Sequence, residues 1–262
     1  MKTKTESSLP YSKRFLTTDA AGTYVNEEYG PESYATAIWA EQVPVVGRLL
    51  RESQQRHPQG RHFDFACGAG RITRLTEKIF SEVDALDISP AMVEAARAES
   101  NHAQFYVGNI LEDPKLCLGP YASITTFRLL LNIDPPLRIP ILIQLRNRLH
   151  PEGTLIFNVH GNRHSLRHPA LIWNSWRNHH EPSGIESMHN EMSRSEVEGC
   201  LNAAGLAVER VYGFGILPQT VYRWPLAFLW RRMDRWLSGR SLLQAFSIDL
   251  LFVCRPKSLP SE

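Results

Sequence analysis

From about residue 61 onward, short apolar runs alternate with amphipathic segments of helix length. Repeated β-α-β units give this alternation, so it restricts the chain to an α/β fold with a mostly parallel sheet. Seven runs are typical of strands, and they cover residues 62–66, 82–88, 103–107, 121–127, 154–160, 206–212 and 247–254. We therefore expect one doubly wound, seven-stranded sheet in a single domain over residues 1–262.

Helix starts are marked by capping residues. Ser89 and Asp134 each precede a proline, and Ser193 has a glutamate three positions later, which predicts a helix start after each. Periodicity predicts further helices over residues 38–56 and 72–80.

A segment late in the chain, residues 223–237, reads RWPLAFLWRRMDRWL. Leu226, Leu229, Trp230, Met233 and Leu237 recur at helical spacing with arginines elsewhere, which predicts an amphipathic helix inserted between strands 6 and 7. Its apolar stripe either packs on the domain as a lid or, with tryptophans at its boundary and a basic face, lies on a membrane surface.

Composition excludes several classes of protein. Lys and Arg number 29 against 27 Asp and Glu, so a formal charge of +2 gives no broad reason to bind nucleic acid. The polar start MKTKTESSLPYSKR and the shortness of the apolar runs lead us to expect neither a secretory signal nor a membrane-spanning helix. The four cysteines form no CxxC pair, which argues against a zinc site or a disulfide framework and favours the cytoplasm.

The strongest local signal is HFDFACGAGR, an apolar strand that runs into a loop with Gly68 and Gly70 and then a helix. Glycines there let a ligand approach the backbone beside the free N–H groups of a helix start. Asp87 ends the next strand, where a carboxylate can accept both hydroxyl hydrogens of a ribose. Thr73 stands where a dinucleotide site needs a third glycine, so the pattern favours a nucleoside without a pyrophosphate over NAD.

Five segments in order, DFACGAGR, LDISPAMVEAA, VGNI, YASITTF and LHPEGTLIF, resemble the motifs of class I S-adenosylmethionine-dependent methyltransferases. The resemblance is close over residues 60–160 and extends through 193–211 and 249–257. It implies a Rossmann-like sheet whose last strand is antiparallel, and S-adenosylmethionine as the cofactor.

The resemblance also implies which residues surround the cofactor. They are Ala66, Cys67, Gly68, Gly70, Arg71, Asp87, Ile88, Met92, Asn109, Ile110 and Phe127. Loop residues 66–70 surround the methionine part, and Asp87 binds the ribose. The residues at 88 and 92 flank the adenine, those at 109 and 110 contact it, and Phe127 lies beneath the sulfonium.

Some of these assignments leave alternatives open. Met92 either contacts the adenine or packs in the core, and Arg71 either pairs with the cofactor carboxylate or is a solvated residue at a helix start. Two residues depart from the family pattern, since Ala66 replaces the first glycine of the loop and Asn109 replaces an aspartate.

The same reading divides the domain into four parts. Residues 1–58 form an N-terminal cap or lid with several tyrosines, and 59–160 form the cofactor-binding core. Residues 161–192 carry Trp173 and Trp176 and form an acceptor-site insertion. Residues 193–257 complete the sheet, with a helical insert at 223–244.

Groups that act on the acceptor should lie at the carboxyl ends of the strands. That position selects Arg128, Asn132, Asn158 and His160, and we take His160 and Arg128 as the catalytic candidates. His160 either accepts a hydroxyl proton or is a structural histidine. His160, His164 and His168 are spaced four apart, but Gly161 and Pro169 interrupt the run, so no metal is expected.

The function expected is methyl transfer to a small-molecule acceptor, most simply to oxygen, in specialised or cell-envelope metabolism. The alternative is a non-catalytic cofactor-binding or interaction domain. A nucleic-acid methyltransferase is disfavoured, because Asp134-Pro135-Pro136 is followed by Leu137 where a base-stacking aromatic would be needed, and it follows the strand too late.

Overall fold

The structure is a computed structural model that describes residues 34–166, 168, 191–217, 227–238, 240 and 243–257. Most of the predicted N-terminal cap, Trp173 and Trp176 of the predicted insertion, and residues 223–226 of the predicted helix lie outside the described residues.

One sheet of seven strands organises the described chain, in the order β3-β2-β1-β4-β5-β7-β6. The strands are β1 His62–Phe65, β2 Val83–Asp87, β3 Gln104–Val107, β4 Tyr121–Thr126, β5 Leu149–Val159, β6 Leu206–Phe214 and β7 Asp249–Pro256. β7 runs antiparallel to β5 and β6, and the other neighbouring pairs are parallel. The predicted fold class, including the antiparallel last strand, is confirmed.

Six α-helices accompany the strands in the described residues. They are α1 Tyr34–Arg56, α2 Thr73–Thr76, α3 Pro90–Ala98, α4 Arg138–Arg148, α5 Arg194–Ala203 and α6 Ala227–Ser238. Short 3₁₀ turns cover Pro135–Leu137 and Gln244–Phe246. None of the helices in the described ranges combines the length and the apolar character that crossing a bilayer requires.

Central strands are apolar on both faces because each face packs on helices. On β5, Leu155 and Phe157 belong to a core with α4 and α5, and Ile156 belongs to a second core with α1. Leu250 and Leu251 of β7 divide in the same way. The sheet is therefore covered on both sides, which leaves its strand ends to form a site.

The capping predictions are partly confirmed. Ser89 Oγ accepts the Met92 N–H at 3.3 Å, and Ser193 and Glu196 form a capping box at the start of α5. The prediction at Asp134 was wrong in its chemistry, since the Asp134 side chain makes no capping hydrogen bond. The prolines begin a 3₁₀ turn there, and α4 follows it.

Two predicted boundaries were also wrong. β5 begins at Leu149 instead of residue 154, because Leu149 pairs with Tyr121 ahead of a register shift. The helix predicted over residues 72–80 contains a single α-helical segment, α2, followed by turn residues before β2.

Candidate active site

The loop after β1 is held in a conformation that few residues adopt. Ala66, Gly68 and Gly70 have φ angles of 56°, 52° and 75°. A Cβ on Gly70 would lie 2.9 Å from the Ala96 Cβ of α3, so Gly70 permits close helix packing. A Cβ on Gly68 would meet nothing within 4 Å. Gly68 therefore borders open space, as a ligand cradle requires.

Asp87 fixes this loop from the end of β2. Its Oδ2 accepts the Gly68 N–H at 2.8 Å, and its Oδ1 accepts the Ser89 N–H at 2.9 Å. Burial raises the pKa of the Asp87 carboxyl, and these N–H donors partly offset that effect. Each carboxylate oxygen can accept more than one hydrogen bond. Asp87 can therefore hold the loop and still accept ribose hydroxyls.

Beneath the loop lies a buried polar network that the sequence reading missed. Asp64 of β1 accepts hydrogen bonds from the hydroxyls of Thr73 at 2.6 Å and Thr125 at 2.9 Å. Burial raises the pKa of Asp64 to about 6, against the effect of both hydroxyls. His62 lies between Ser123 and Thr125, and burial lowers its pKa to about 3, so it is neutral. The network joins α2 to β1 and β4.

Cys67, also in the loop, is buried, and its Sγ lies 3.6 Å from the Gly68 carbonyl oxygen. Burial raises the pKa of the Cys67 thiol well above its usual range. The thiol is therefore protonated and inert as a nucleophile at neutral pH.

On the predicted adenine side, the structure distinguishes four assigned residues by exposure. Ile88 is 45% exposed beside Asp87, where it can form one wall of the cleft. Met92 is buried against Ala91 and Ala69, so it supports the loop by packing. Ile110 is fully buried in the main core, so it supports this side of the site by packing. Asn109 accepts the Leu111 N–H at 3.0 Å and so also shapes its own turn.

An aromatic wall faces the end of β4. Trp39 of α1 meets the ring of Phe127 edge to face at 5.8 Å between centroids. The Arg71 guanidinium lies over the same indole, 4.4 Å from its centroid. The Arg71 side chain is thus half-buried against Trp39, and both readings of Arg71 stay open.

The turn after Phe127 is held by side chains from two other strands. Arg128 has a φ of 58°, and its backbone N–H donates to Asn158 Oδ1 at 2.7 Å. The Asn158 amide donates to both oxygens of Asp249, at 3.1 and 2.9 Å. Burial raises the pKa of Asp249 to about 6, although the Asn158 amide, Arg128 and Arg71 act in the opposite direction. The sequence reading selected Arg128 and Asn158 but missed Asp249.

His160 directly follows β5, next to this cluster, as predicted, and it is half-buried. Asn132 donates its side-chain amide to the Arg128 carbonyl oxygen, at the same turn. His164 is exposed, and His168 pairs with Glu191 at 2.6 Å. The structure thus brings Arg128, Asn132, Asn158 and His160 to one edge.

One group of potential metal ligands lies elsewhere in the described residues. Atoms of His57, His150 and Glu152 fall within 4.8 Å of one another. His57 precedes β1 and His150 lies at the start of β5, so the group sits at the amino edge of the sheet. It has no part in the site at the carboxyl edge.

Comparison with known proteins agrees with this geometry. A family model described as a methyltransferase domain matches residues 39–211, which is more than half of the chain. The match covers the glycine loop, Asp87 and the ends of β4 and β5.

Curated relatives are distant. The ubiquinone biosynthesis O-methyltransferase of Xanthomonas campestris pv. campestris (strain B100) is 22% identical over 160 residues, 60% of this chain. The chain spans 66% of that relative's length. The protein of the same name from Xanthomonas axonopodis pv. citri (strain 306) is 23% identical over 171 residues, 63% of this chain and 71% of the relative.

Among solved structures, the magnesium protoporphyrin IX methyltransferase of Synechocystis PCC 6803 with bound SAH has a TM-score of 0.64. It is 13% identical, and the alignment covers 94% of this chain and 98% of that one. The likeness at this identity establishes a shared fold. With the family match over residues 39–211, the chain belongs to the class I S-adenosylmethionine-dependent methyltransferases.

Proposed function

We propose that this methyltransferase transfers the methyl group of S-adenosylmethionine to a hydroxyl oxygen of a small-molecule acceptor in specialised or cell-envelope metabolism. The observation that carries the cofactor site is the open space at Gly68 beside the carboxylate of Asp87. The printed names of the distant curated relatives, which are O-methyltransferases, support oxygen as the methylated atom.

The residues present fit the cofactor. The loop from Ala66 to Gly70 leaves room for its methionine part, and Asp87 is placed to accept its ribose hydroxyls. Exposed Ile88 offers an apolar wall to the adenine, with the Asn109 turn at its edge, and buried Ile110 supports this side from the core. Met92 packs against Ala69 and so supports the loop without contacting the cofactor.

When bound, the cofactor supplies an electrophilic methyl on sulfur, which an acceptor oxygen attacks in line. The chain's own residues must orient the acceptor, exclude water and take the hydroxyl proton. His160 is our candidate for the proton acceptor, since its imidazole stands at the end of β5. Arg128 lies at the same edge of the sheet, directly after Phe127, on which Trp39 packs.

Further parts of the proposal rest on the sequence. We assign residues 59–160 to cofactor binding and residues 161–192 to the acceptor. The near balance of charge supports a small molecule over nucleic acid as partner. The four cysteines are free thiols, which supports a cytoplasmic protein.

The test is incubation with methyl-deuterated S-adenosylmethionine and a panel of phenols, catechols, carboxylic acids and amines, followed by mass spectrometry. Label on oxygen in wild type, and none with Gly68→Val, is the expected result. Tight cofactor binding without any labelled product would favour the non-catalytic alternative. Label in added RNA or DNA would refute the proposal.

A further inference from the structure

Helix α6 buries its one acidic residue and exposes four of its large apolar residues. Asp234 is buried, and its Oδ1 accepts the N–H groups of Ile216 and Leu217 at 2.8 Å each. These two bonds fix the rotation of the helix, because any turn about its axis would remove both partners from a buried carboxylate. The sequence left two placements of the apolar stripe open, against the domain or on a membrane surface, and the exposure of Leu229 and Met233 does not fit packing on the domain.

The outward face carries four large apolar side chains within twelve residues. Phe228, Leu229, Met233 and Trp236 are 61%, 50%, 39% and 59% exposed. Scattered exposed apolar residues are normal, but a contiguous cluster on one helix marks an interaction surface. We name these four residues the outer face of α6.

Positive charge accompanies this face. Arg232 is exposed one helical turn before Trp236, and the Arg240 guanidinium lies 4.5 Å from the centroid of the Trp236 ring. The only acidic residue of α6 is the inward Asp234. A tryptophan between arginines on an apolar helix face is the composition that binds at the boundary of lipid headgroups and acyl chains. The charge complements an anionic surface.

The helix also lies at the edge of the sheet where the candidate active site opens. β6 runs parallel to β5, since both are antiparallel to β7, so its end at Phe214 belongs to the carboxyl edge. An Arg235 guanidinium nitrogen donates to Glu41 Oε1 of α1 at 2.7 Å, and Glu41 is two positions after Trp39. α6 is thus joined to the helix that forms the aromatic wall.

From these observations we infer that the outer face of α6 docks the enzyme on an anionic phospholipid bilayer. Docking presents the carboxyl edge of the sheet to the membrane, so the acceptor is a hydroxyl compound that partitions into the bilayer. Only this statement about the acceptor rests on the proposed function. Docking itself does not depend on methyl transfer.

Vesicle flotation of the full chain tests the inference. Vesicles of phosphatidylglycerol mixed with phosphatidylcholine should carry the protein, and vesicles of phosphatidylcholine alone should carry much less. Binding should fall as salt shortens the screening length from about 30 Å to about 8 Å. Each charge near an anionic surface contributes a factor of about five, so Arg232→Glu should weaken binding about 25-fold.

Two further variants make the test specific. Trp236→Ser should lower vesicle binding at every salt concentration, because it removes apolar anchoring. Lys115→Glu makes the same charge change as Arg232→Glu at an exposed position. Lys115 follows Pro114, whose carbonyl oxygen accepts a hydrogen bond from Arg148 just before the start of β5, so it lies toward the amino edge of the sheet and this variant should float like wild type. Calorimetric titration with S-adenosylhomocysteine should give wild-type affinity in all three variants.

Three results would overturn the inference. One is that wild-type protein does not float with phosphatidylglycerol vesicles at low salt. Another is flotation that neither Arg232→Glu nor Trp236→Ser changes, which would place the contact elsewhere. The third is self-association that Trp236→Ser abolishes without any lipid binding, which would assign the outer face to a second copy of the chain. Loss of methyl transfer with flotation intact would count against the proposed function alone.

Discussion

Replacing Asp87 with alanine removes the carboxylate that connects the glycine loop, the start of α3 and the proposed ribose position. In the free protein the change deletes two charge-assisted hydrogen bonds, from Gly68 and Ser89 at 2.8 and 2.9 Å. Such bonds contribute about 1.5 to 3 kcal/mol each, but the burial that raises the pKa of Asp87 offsets part of this. We expect the free energy of unfolding to fall by about 1 to 2 kcal/mol.

The effect on the cofactor should be additional. Loss of the ribose acceptors should weaken binding by about 1.5 to 3 kcal/mol, or roughly 10- to 150-fold in Kd. Calorimetric titration with S-adenosylhomocysteine measures the Kd, and urea unfolding of the free protein measures the stability.

Ser89→Ala is the matched control. Its hydroxyl caps α3 at Met92, so its loss should cost the fold about 1 kcal/mol while the carboxylate remains. If Ser89→Ala weakens binding as much as Asp87→Ala, the affinity follows loop stability and not a ribose contact. A Kd for Asp87→Ala within threefold of wild type, a difference of about 0.6 kcal/mol or less, would refute the placement of the cofactor at Asp87.

Three further predictions concern the same edge. Gly68→Val should abolish S-adenosylhomocysteine binding in a titration, because its side chain enters the open space at a φ of 52°; retained binding would move the cofactor elsewhere. Asp249→Asn should stabilise the protein at pH 7 by up to about 3 kcal/mol, and much less at pH 4. The reason is that burial raises the pKa of Asp249 from 3.8 to about 6 in the folded protein. The stability that the protonated carboxyl gives to wild type is complete below pH 3.8 and is lost as the pH rises through 6, whereas asparagine stays neutral at both pH values. Urea unfolding at both pH values checks this, and equal effects at the two would contradict it. His160→Ala should lower turnover on a hydroxyl acceptor by about 100-fold or more with the Kd for cofactor unchanged, whereas unchanged turnover would make His160 structural.

The sheet was predictable because its central strands are buried on both faces and its first five strands are separated by helix-length segments. Boundaries were harder to predict where turn residues occur inside a strand. Pro151 and Gly153 suggest a turn before residue 154, yet β5 already begins at Leu149. Pairing with Tyr121 extends that strand, and pairing partners cannot be found from local pattern alone.

The geometry of the glycine loop and Asp87, where we propose the cofactor, was predictable because these residues are close in sequence and follow a spacing. Gly68 and Asp87 are 19 positions apart and share a hydrogen bond. Asp249 and Asn158 are 91 positions apart, and no spacing joins them. The sequence marks Asp249 only as an aspartate at the start of the apolar run DLLFVC, and it marks Asp64 in a similar way, as an aspartate within the apolar run HFDF. Such acids in buried strands need partners.

The turn after Phe127 is held by residues that lie far from it in the sequence. Arg128 occupies a left-handed conformation that an arginine adopts only at a cost, so the turn after Phe127 must be held by its surroundings. Asn158 provides the hold, and Asp249 orients the Asn158 amide by accepting both of its hydrogen bonds. Because Asp249 starts β7 and β7 pairs with β6, a shift of β6 or β7 would reach the end of β4 through this amide. The geometry beside the proposed methyl position therefore depends on β5, β6 and β7, strands that contribute no side chain to the proposed cofactor cleft.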